Sequence, residues 1–227
     1  MSATTLTLSG WTQPADALAA ILPDAAVFQY SAFASPKAAI EALRDVPAMP
    51  HVVGWSLGGQ LALRAIAEGV LRPRHLTLIA TPWQFVGPGG MGKETFTLFR
   101  ESYQRDPARS MERFAGLVAK NDTRQREILR DFRHHPSADD AARWLPWLDA
   151  LAEYHPDAAF LEQLPPTLAI HGEADAIVPV AQAEQFCALP NVTISRWEGT
   201  GHAPHLHDPA RLAREIAEHR RAQKAAA

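Results

Sequence analysis

Gly54, Trp55, Ser56, Leu57 and Gly58 form a G-x-S-x-G segment, preceded by the apolar strand residues His51 to Val53 and followed by a helix-forming run. This is the setting of a nucleophile elbow, in which the serine occupies a sharp, strained turn between strand and helix. Such a turn closes only where small residues let the two elements approach, and Gly54, Gly58 and Gly59 supply them. Alone, the motif also describes an ordinary glycine-bearing strand-to-helix turn, so its partners decide the reading.

A serine hydroxyl is a weak nucleophile at neutral pH and needs a base, which in an elbow-bearing sheet follows in the order Ser, then Asp or Glu, then His. The strand TLAIHG runs into Glu173, Ala174 and Asp175 before Ile177, Val178 and Pro179 lead into the next helix. A later strand runs into Gly199, Thr200, Gly201 and His202. In a parallel sheet these loops share the carboxyl edge with Ser56, so residues distant in sequence can meet there. Asp175 is favoured over Glu173 because its shorter side chain sits nearer the helix start. Glu173 remains a competitor whose ordinary role is a solvated loop charge.

His202 competes with His205 and His207 in the run HAPHLH. That run has some likeness to a metal cluster, but no acid or cysteine set of recognisable spacing accompanies it, and no metal or other cofactor is expected. His205 and His207 are expected to be surface or hydrogen-bonding residues, and His171 a strand-end residue. Acyl transfer also needs N–H donors for the developing oxyanion. The backbone of Leu57 is one candidate, and Trp11, in the loop Ser9-Gly10-Trp11 after the first strand, is the other. Trp55, beside the nucleophile, joins them as a substrate-binding candidate.

The elements that must position these groups follow from the apolar pattern. Up to about residue 82, the segments TLTLSG, AVFQYSAF, HVVGWS and HLTLIAT alternate with helices expected at Pro14–Leu22, Pro36–Arg44 and after Ser56. After Pro165 come PTLAIHG, a helix over Pro179–Ala188, NVTISRWEG and a final helix from Pro209 to about Arg221. Strands alternating with helices at short loop lengths argue for βαβ units, hence an α/β fold with a mostly parallel sheet flanked by helices. Between them the pattern is helical without a good strand. We therefore expect a core made of residues 1–82 and 165–227, with 83–164 as a helical cap insertion.

The chain has 227 residues, 47% of them hydrophobic and 21% charged, which suits one sizeable globular domain. A net charge of −3 argues against a general nucleic-acid binder, because phosphate affinity needs a dominant basic surface. The opening MSATTLTLSGWTQP lacks the features of a signal peptide, and no apolar run approaches bilayer length, so a cytoplasmic location without membrane contact is expected. The single cysteine, Cys187, has no internal disulfide partner and is expected on a helix face in the core. The alanine-rich tail from Lys224 to Ala227 is expected to fray.

At SGW, GWSLGG, HGEADAIVP and GTGHAPHLHDP the sequence resembles the pimeloyl-acyl-carrier-protein methyl ester esterases of biotin synthesis, members of the α/β-hydrolase superfamily. The resemblance covers nearly the whole chain. It implies that Ser56, Asp175 and His202 are the triad of a carboxylesterase, that Trp11 and Leu57 give the oxyanion donors, and that the substrate arrives on an acyl carrier protein. Two features depart from the family pattern. Ser9 stands where the family carries histidine in a His-Gly-Trp loop, and the part before Ser56 is shortened, with no early β-hairpin.

From Phe96 to His135 eight arginines and one lysine face six acids, a local positive excess inside a negative chain. Arg109 and Arg113 share a helix face, and Arg124 opens the next basic stretch. With the resemblance, these become candidate docking residues for an acidic carrier; without it, they are ordinary solvated helix surface. Two further readings stay open: a small-molecule carboxylesterase or lactonase on the same machinery, and a catalytically silent hydrolase-like binding protein.

Overall fold

The computed structural model describes residues 3–155 and 157–226. Six strands form one parallel sheet: β1 (Thr5–Leu8), β2 (Ala26–Val27), β3 (His51–Trp55), β4 (His75–Ile79), β5 (Thr167–Gly172) and β6 (Val192–Trp197). Their spatial order is β2-β1-β3-β4-β5-β6. The central strands β1, β3, β4 and β5 are almost wholly buried, as expected of parallel strands covered on both faces. At the edge, β6 is only partly buried.

Register explains why distant residues meet. Leu8 pairs with Gly54, Trp55 with Ile79, Ile79 with Ile170 in turn, and Gly172 with Trp197. The strands therefore end near one another, β5 and β6 running on past the level at which β3 and β4 stop, and the loops that follow β1, β3, β5 and β6 emerge along one edge. The helices are α1 (Pro36–Ala42), α2 (Leu57–Ala67), α3 (Lys93–Arg105), α4 (Pro107–Ala119), α5 (Gln125–Asp131), α6 (Ala141–Glu153), α7 (Ala158–Leu161), α8 (Val180–Glu184), α9 (Pro204–His207) and α10 (Pro209–Ala226). Helix α2 is buried around most of its circumference, with Leu57, Leu61, Ala62, Leu63 and Ala65 all in the core.

Helices α3 to α7 lie between β4 and β5. They are joined to the sheet part by specific ties. Arg64 of α2 donates to the Ala150 carbonyl of α6 and lies 5.0 Å from the centre of the Tyr154 ring. Within the helical segment, Arg100 and Asp149 form a two-pronged ion pair at 2.5 and 2.8 Å, linking α3 to α6.

Several elements differ from the expectation. Residues 15–21 form successive turns instead of a helix, closed by three-residue bonds such as Ala17 N to Pro14 O and Ala19 N to Asp16 O. The stretch lies between Pro14 and Pro23, and burial of Leu18 and Ile21 fixes its path. The strand read as AVFQYSAF shrinks to Ala26–Val27, after which a 3-10 turn at Tyr30–Ala32 carries Tyr30 inward. Cys187 is exposed rather than in the core. The α-helix expected to carry it ends at Glu184 and tightens into a 3-10 turn over Gln185–Ala188, which turns Phe186 inward and Cys187 outward. At the carboxyl end the helix continues to Ala226 in place of a frayed tail, and Ala227 lies outside the described residues.

Candidate active site

Ser56 has φ 53° and ψ −117°, a conformation L-residues rarely adopt and one that persists only when its surroundings impose it. The Ser56 N–H donates to Ile79 O at 2.8 Å, and its carbonyl accepts from Gly59 and Gln60 N–H as α2 begins. Two glycines make the turn possible. A Cβ on Gly54 would lie 2.5 Å from the Gly59 Cα, and one on Gly58 would lie 2.1 Å from Leu8 O. The hydroxyl does not cap its own helix, so Oγ is left for another partner.

That partner is His202. Its Nε2 lies 3.1 Å from Ser56 Oγ, and its Nδ1 lies 2.7 Å from Asp175 Oδ2. With a carboxylate as acceptor, Nδ1 carries the hydrogen and Nε2 is left to accept from the serine hydroxyl. Ser56 is 7% exposed and His202 only 1%, so these groups lie in a low-dielectric setting. The other Asp175 oxygen, Oδ1, accepts from Ile177 and Val178 N–H, both at 2.8 Å. Burial pushes the Asp175 carboxyl up; His202, His171 and the Val178 N–H outweigh it, and the group titrates below the ordinary carboxylate range. Asp175 is therefore ionised at neutral pH. Its competitor Glu173 is exposed, and among the described residues only its backbone N–H is engaged, to Trp197 O.

His171 lies near the end of β5, as the sequence implies, and it also belongs to this environment. Its Nε2 donates to Val178 O at 2.7 Å and lies 3.5 Å from Asp175 Oδ2. Burial holds it below the usual histidine range, so it stands as a neutral strut beside the acid. Neither HGEAD spacing nor residue type signals this second contact.

The loop after β1 is fixed by neighbours that no motif announces. Gly10 O accepts from Gln13 N–H and from the Tyr30 hydroxyl at 2.6 Å. Trp11 is buried, its Nε1 donating to Trp144 O at 3.1 Å, with edge-on contacts to Phe99, Tyr103 and Phe114. Ser9 is buried with its hydroxyl 3.5 Å from Gln13 O. Leu57 is the first residue of α2, where an N–H has no carbonyl partner inside the helix and the helix dipole favours negative charge.

Trp55, expected at the substrate, lies behind the relay instead. It is 2% exposed, its Nε1 donates to His202 O at 3.0 Å, and the face of its ring supports Gly10. It braces His202 and the Gly10 loop from the core side, because a β3 residue adjacent to the elbow turns its side chain into the sheet packing. His205 is likewise neither surface nor hydrogen-bonded as expected. It is buried, its ring centre is 4.2 Å from that of Trp55, and Nδ1 has no partner among the described residues. His207 does make a hydrogen bond, to Asp122 at 2.8 Å.

Burial, reinforced by the nearby His202, lowers His205 to about 3 from the ordinary 6.5. Between those values the unfolded chain binds a proton that the native site rejects. Stability contributed by this residue is intact above 6.5 and falls with acidification at up to about 1.4 kcal/mol per pH unit. Urea titrations at pH 7 and pH 5 are expected to show a smaller acid-induced loss for His205→Phe than for wild type. Equal losses would contradict this. His51, lowered to about 3 chiefly by its own burial, is present in both proteins and cancels.

The arginines divide in the structure. Arg109 and Arg113 are exposed on α4, whereas Arg124, at the start of α5, donates through Nη1 to His207 O. Behind α4, Phe85, Met91, Phe99, Phe114, Leu117 and Ile177 line an apolar cavity of about 40 Å³ beside the Asp175 loop. Its residues come from the helical segment and neighbouring loops, where no short motif marks them.

Comparison with known proteins bears on the fold and the family. A model described as the alpha/beta hydrolase family matches residues 5–215. The pimeloyl-[acyl-carrier protein] methyl ester esterase of Aromatoleum aromaticum is 32% identical, with 74% of this chain aligned to 72% of that protein. The protein of the same name from Methylococcus capsulatus is 34% identical, with 78% of this chain aligned to 72% of it. Among solved structures, a bromoperoxidase from Bacillus anthracis superposes with a TM-score of 0.78 at 17% identity, covering 96% of this chain and 92% of its own. An esterase from Exiguobacterium antarcticum gives 0.75 at 16% identity, with 95% and 91% covered, and both likenesses concern the fold. No helix among the described residues is long and apolar enough to cross a membrane. An elbow serine, the parallel sheet that carries it and sequence identity along most of the chain converge: this chain belongs to the alpha/beta hydrolase family, among the pimeloyl-[acyl-carrier protein] methyl ester esterases.

Proposed function

We propose that this chain is a serine carboxylesterase that hydrolyses the methyl ester of pimeloyl-acyl carrier protein, the ester-cleaving step of biotin synthesis, in the cytoplasm. The observation that carries the reading is the relay from Ser56 Oγ through His202 to the buried carboxylate of Asp175, at 3.1 and 2.7 Å. Ser56 Oγ attacks the ester carbonyl while His202 Nε2 takes its proton, and Asp175 stabilises the imidazolium formed. The oxyanion is received by the N–H groups of Leu57 and Trp11. The intermediate collapses as His202 returns the proton to the departing methoxide, releasing methanol and leaving the acyl group on Ser56. Water, deprotonated by His202, then cleaves the acyl-enzyme to the free carboxylate and restores the serine.

In this reading residues 83–164 act as a cap over the core, and the apolar cavity against Phe99, Phe114 and Leu117 receives methylene groups of the acyl chain. Arg109, Arg113 and Arg124 face the carrier, with Arg109 and Arg113 steering its acidic surface. The modest size of the cavity favours one rival, a carboxylesterase for small free esters. The two are separated by comparing kcat/KM for a carrier-loaded methyl ester and the matching free ester. The carrier-loaded substrate is expected to be much the better one, and no preference would sink the carrier reading.

Charge reversal at Arg109 and Arg113 to glutamate sharpens that comparison. Repulsion replaces attraction at the docking face, so kcat/KM for the carrier-loaded ester is expected to fall by about tenfold or more, and wild-type activity to weaken with salt, exposed charges being screened over about 8 Å. Cleavage of the small free ester is expected to be unchanged. Equal loss on both substrates would indicate damage to the site, and no loss on either would leave the arginines as solvated surface.

A further inference from the structure

His202 lies in the loop between β6 and α9, outside any strand or helix of its own. Asp175 and Ser56 fix its ring, but the peptide carrying that ring must be fixed as well. On the core side Trp55 Nε1 holds the His202 carbonyl. On the other side Ala174 N–H donates to Thr200 O at 2.9 Å, and further restraint comes from Val118, in the last turn of α4, and from residues 120–124, which join α4 to α5. Val118 O accepts from His202 N–H at 3.3 Å, and Gly199 O accepts from Thr123 N–H at 2.8 Å and from its hydroxyl at 3.2 Å.

Asp122 is the centre of this junction. Its side chain is fully buried. Oδ2 accepts from the N–H of Gly201, the residue before His202, at 2.7 Å, while Oδ1 accepts from His207 Nδ1 at 2.8 Å and from Arg124 N–H at 2.7 Å. Three donors from three places therefore converge on one carboxylate, two of them on the loop and turn that flank the base. Gly201 must be small for this approach, since a Cβ there would lie 3.0 Å from Val118 O and 3.4 Å from the Asp122 Cβ.

We infer that Asp122 is a positioning residue for the reaction: from the helical segment it holds the Gly201 peptide, and through it His202, in line with Ser56 and Asp175. The inference rests on the reading of His202 as the base. It adds that the base is held jointly by the core, through Trp55, and by the helical segment, through Asp122. Displacement of residues 118–124 then releases the imidazole from alignment. Arg124, bonded through its N–H to Asp122 and through its guanidinium to His207 O, belongs to the same junction.

Asp122→Asn tests this with little change of shape. An amide has one acceptor oxygen, so its NH2 must face either Gly201 N–H or the donors of His207 and Arg124, setting donor against donor. On a small free ester, kcat is expected to fall about ten- to a hundredfold with KM unchanged, the loss associated with small misplacement of a reacting group. Labelling by a fluorophosphonate is expected to slow in step. The downfield proton resonance of His202 Nδ1–H is expected to move upfield or broaden as its bond to Asp175 is disturbed. A variant with a lower Tm but wild-type kcat, labelling rate and resonance would overturn the inference.

If the variant does not fold, hydrogen exchange in the wild-type protein decides. The Gly201 and His202 amides are expected to be protected like those of β5 and β6, and exchange at the rate of open loops would overturn the inference. His202→Ala serves as the reference. If it stays active, the triad reading fails; if it is inactive while Asp122→Asn matches wild type, only the role of Asp122 fails.

Discussion

Ser56→Ala is expected to lower kcat for ester hydrolysis by about six orders of magnitude while leaving the fold intact, with His202→Ala close behind, because nucleophile and base act as a unit. The residual rate comes from groups the substitution does not touch, the N–H donors and the binding surface. Stability is expected to change little or to rise. The elbow backbone at Ser56 is held by Ile79 O and by glycines whose substitution the packing forbids, and the hydroxyl contributes one hydrogen bond, to His202. Substantial turnover in a well-folded Ser56→Ala protein, free of contaminating esterase, would remove this serine from the mechanism.

Asp175→Asn carries the second-largest expected effect, a fall in kcat of about four orders of magnitude. The amide is nearly isosteric, and its oxygen can still receive Ile177 and Val178 N–H. Its NH2 then faces His202, selects the tautomer with Nε2–H and leaves no acceptor for the serine proton. The effect is therefore on kcat, with a modest effect on KM. Glu173→Gln is the matched control, since Glu173 is exposed and held through its backbone. Near-normal activity in Asp175→Asn together with a crippled Glu173→Gln would reassign the acid.

What the sequence made legible follows from how local each determinant is. The elbow needs glycines at fixed offsets from the serine, so Gly54 and Gly58 announce it within five residues. Asp175 and His202 are legible because parallel strands present their carboxyl ends along one edge, which turns the order of loops into a prediction of who meets whom. Glu173 and Asp175 are two residues apart on one loop, and only the path of that loop, folded against Thr200 O by the Ala174 N–H, separates them.

Other features depend on distant partners. Pro14–Leu22 has helical composition, but its path is set by burying Leu18 and Ile21 between two prolines. Cys187 has a helix on its amino side and faces solvent because that helix tightens by one residue. Trp55 stands next to Ser56 in the sequence, whereas strand alternation and the His202 carbonyl turn it inward. The helical segment was legible as helices and illegible as contacts, since helix faces do not say which neighbour they meet. Hence Phe99, Phe114 and Asp122 carried no signal in the sequence.

The most direct test of the central claim is reaction of the native protein with a fluorophosphonate, followed by intact-mass measurement and peptide mapping. The account predicts one covalent adduct per chain, located on Ser56, absent in Ser56→Ala and formed far more slowly in His202→Ala. An adduct on another residue, or a folded and ester-cleaving protein that forms none, would contradict it.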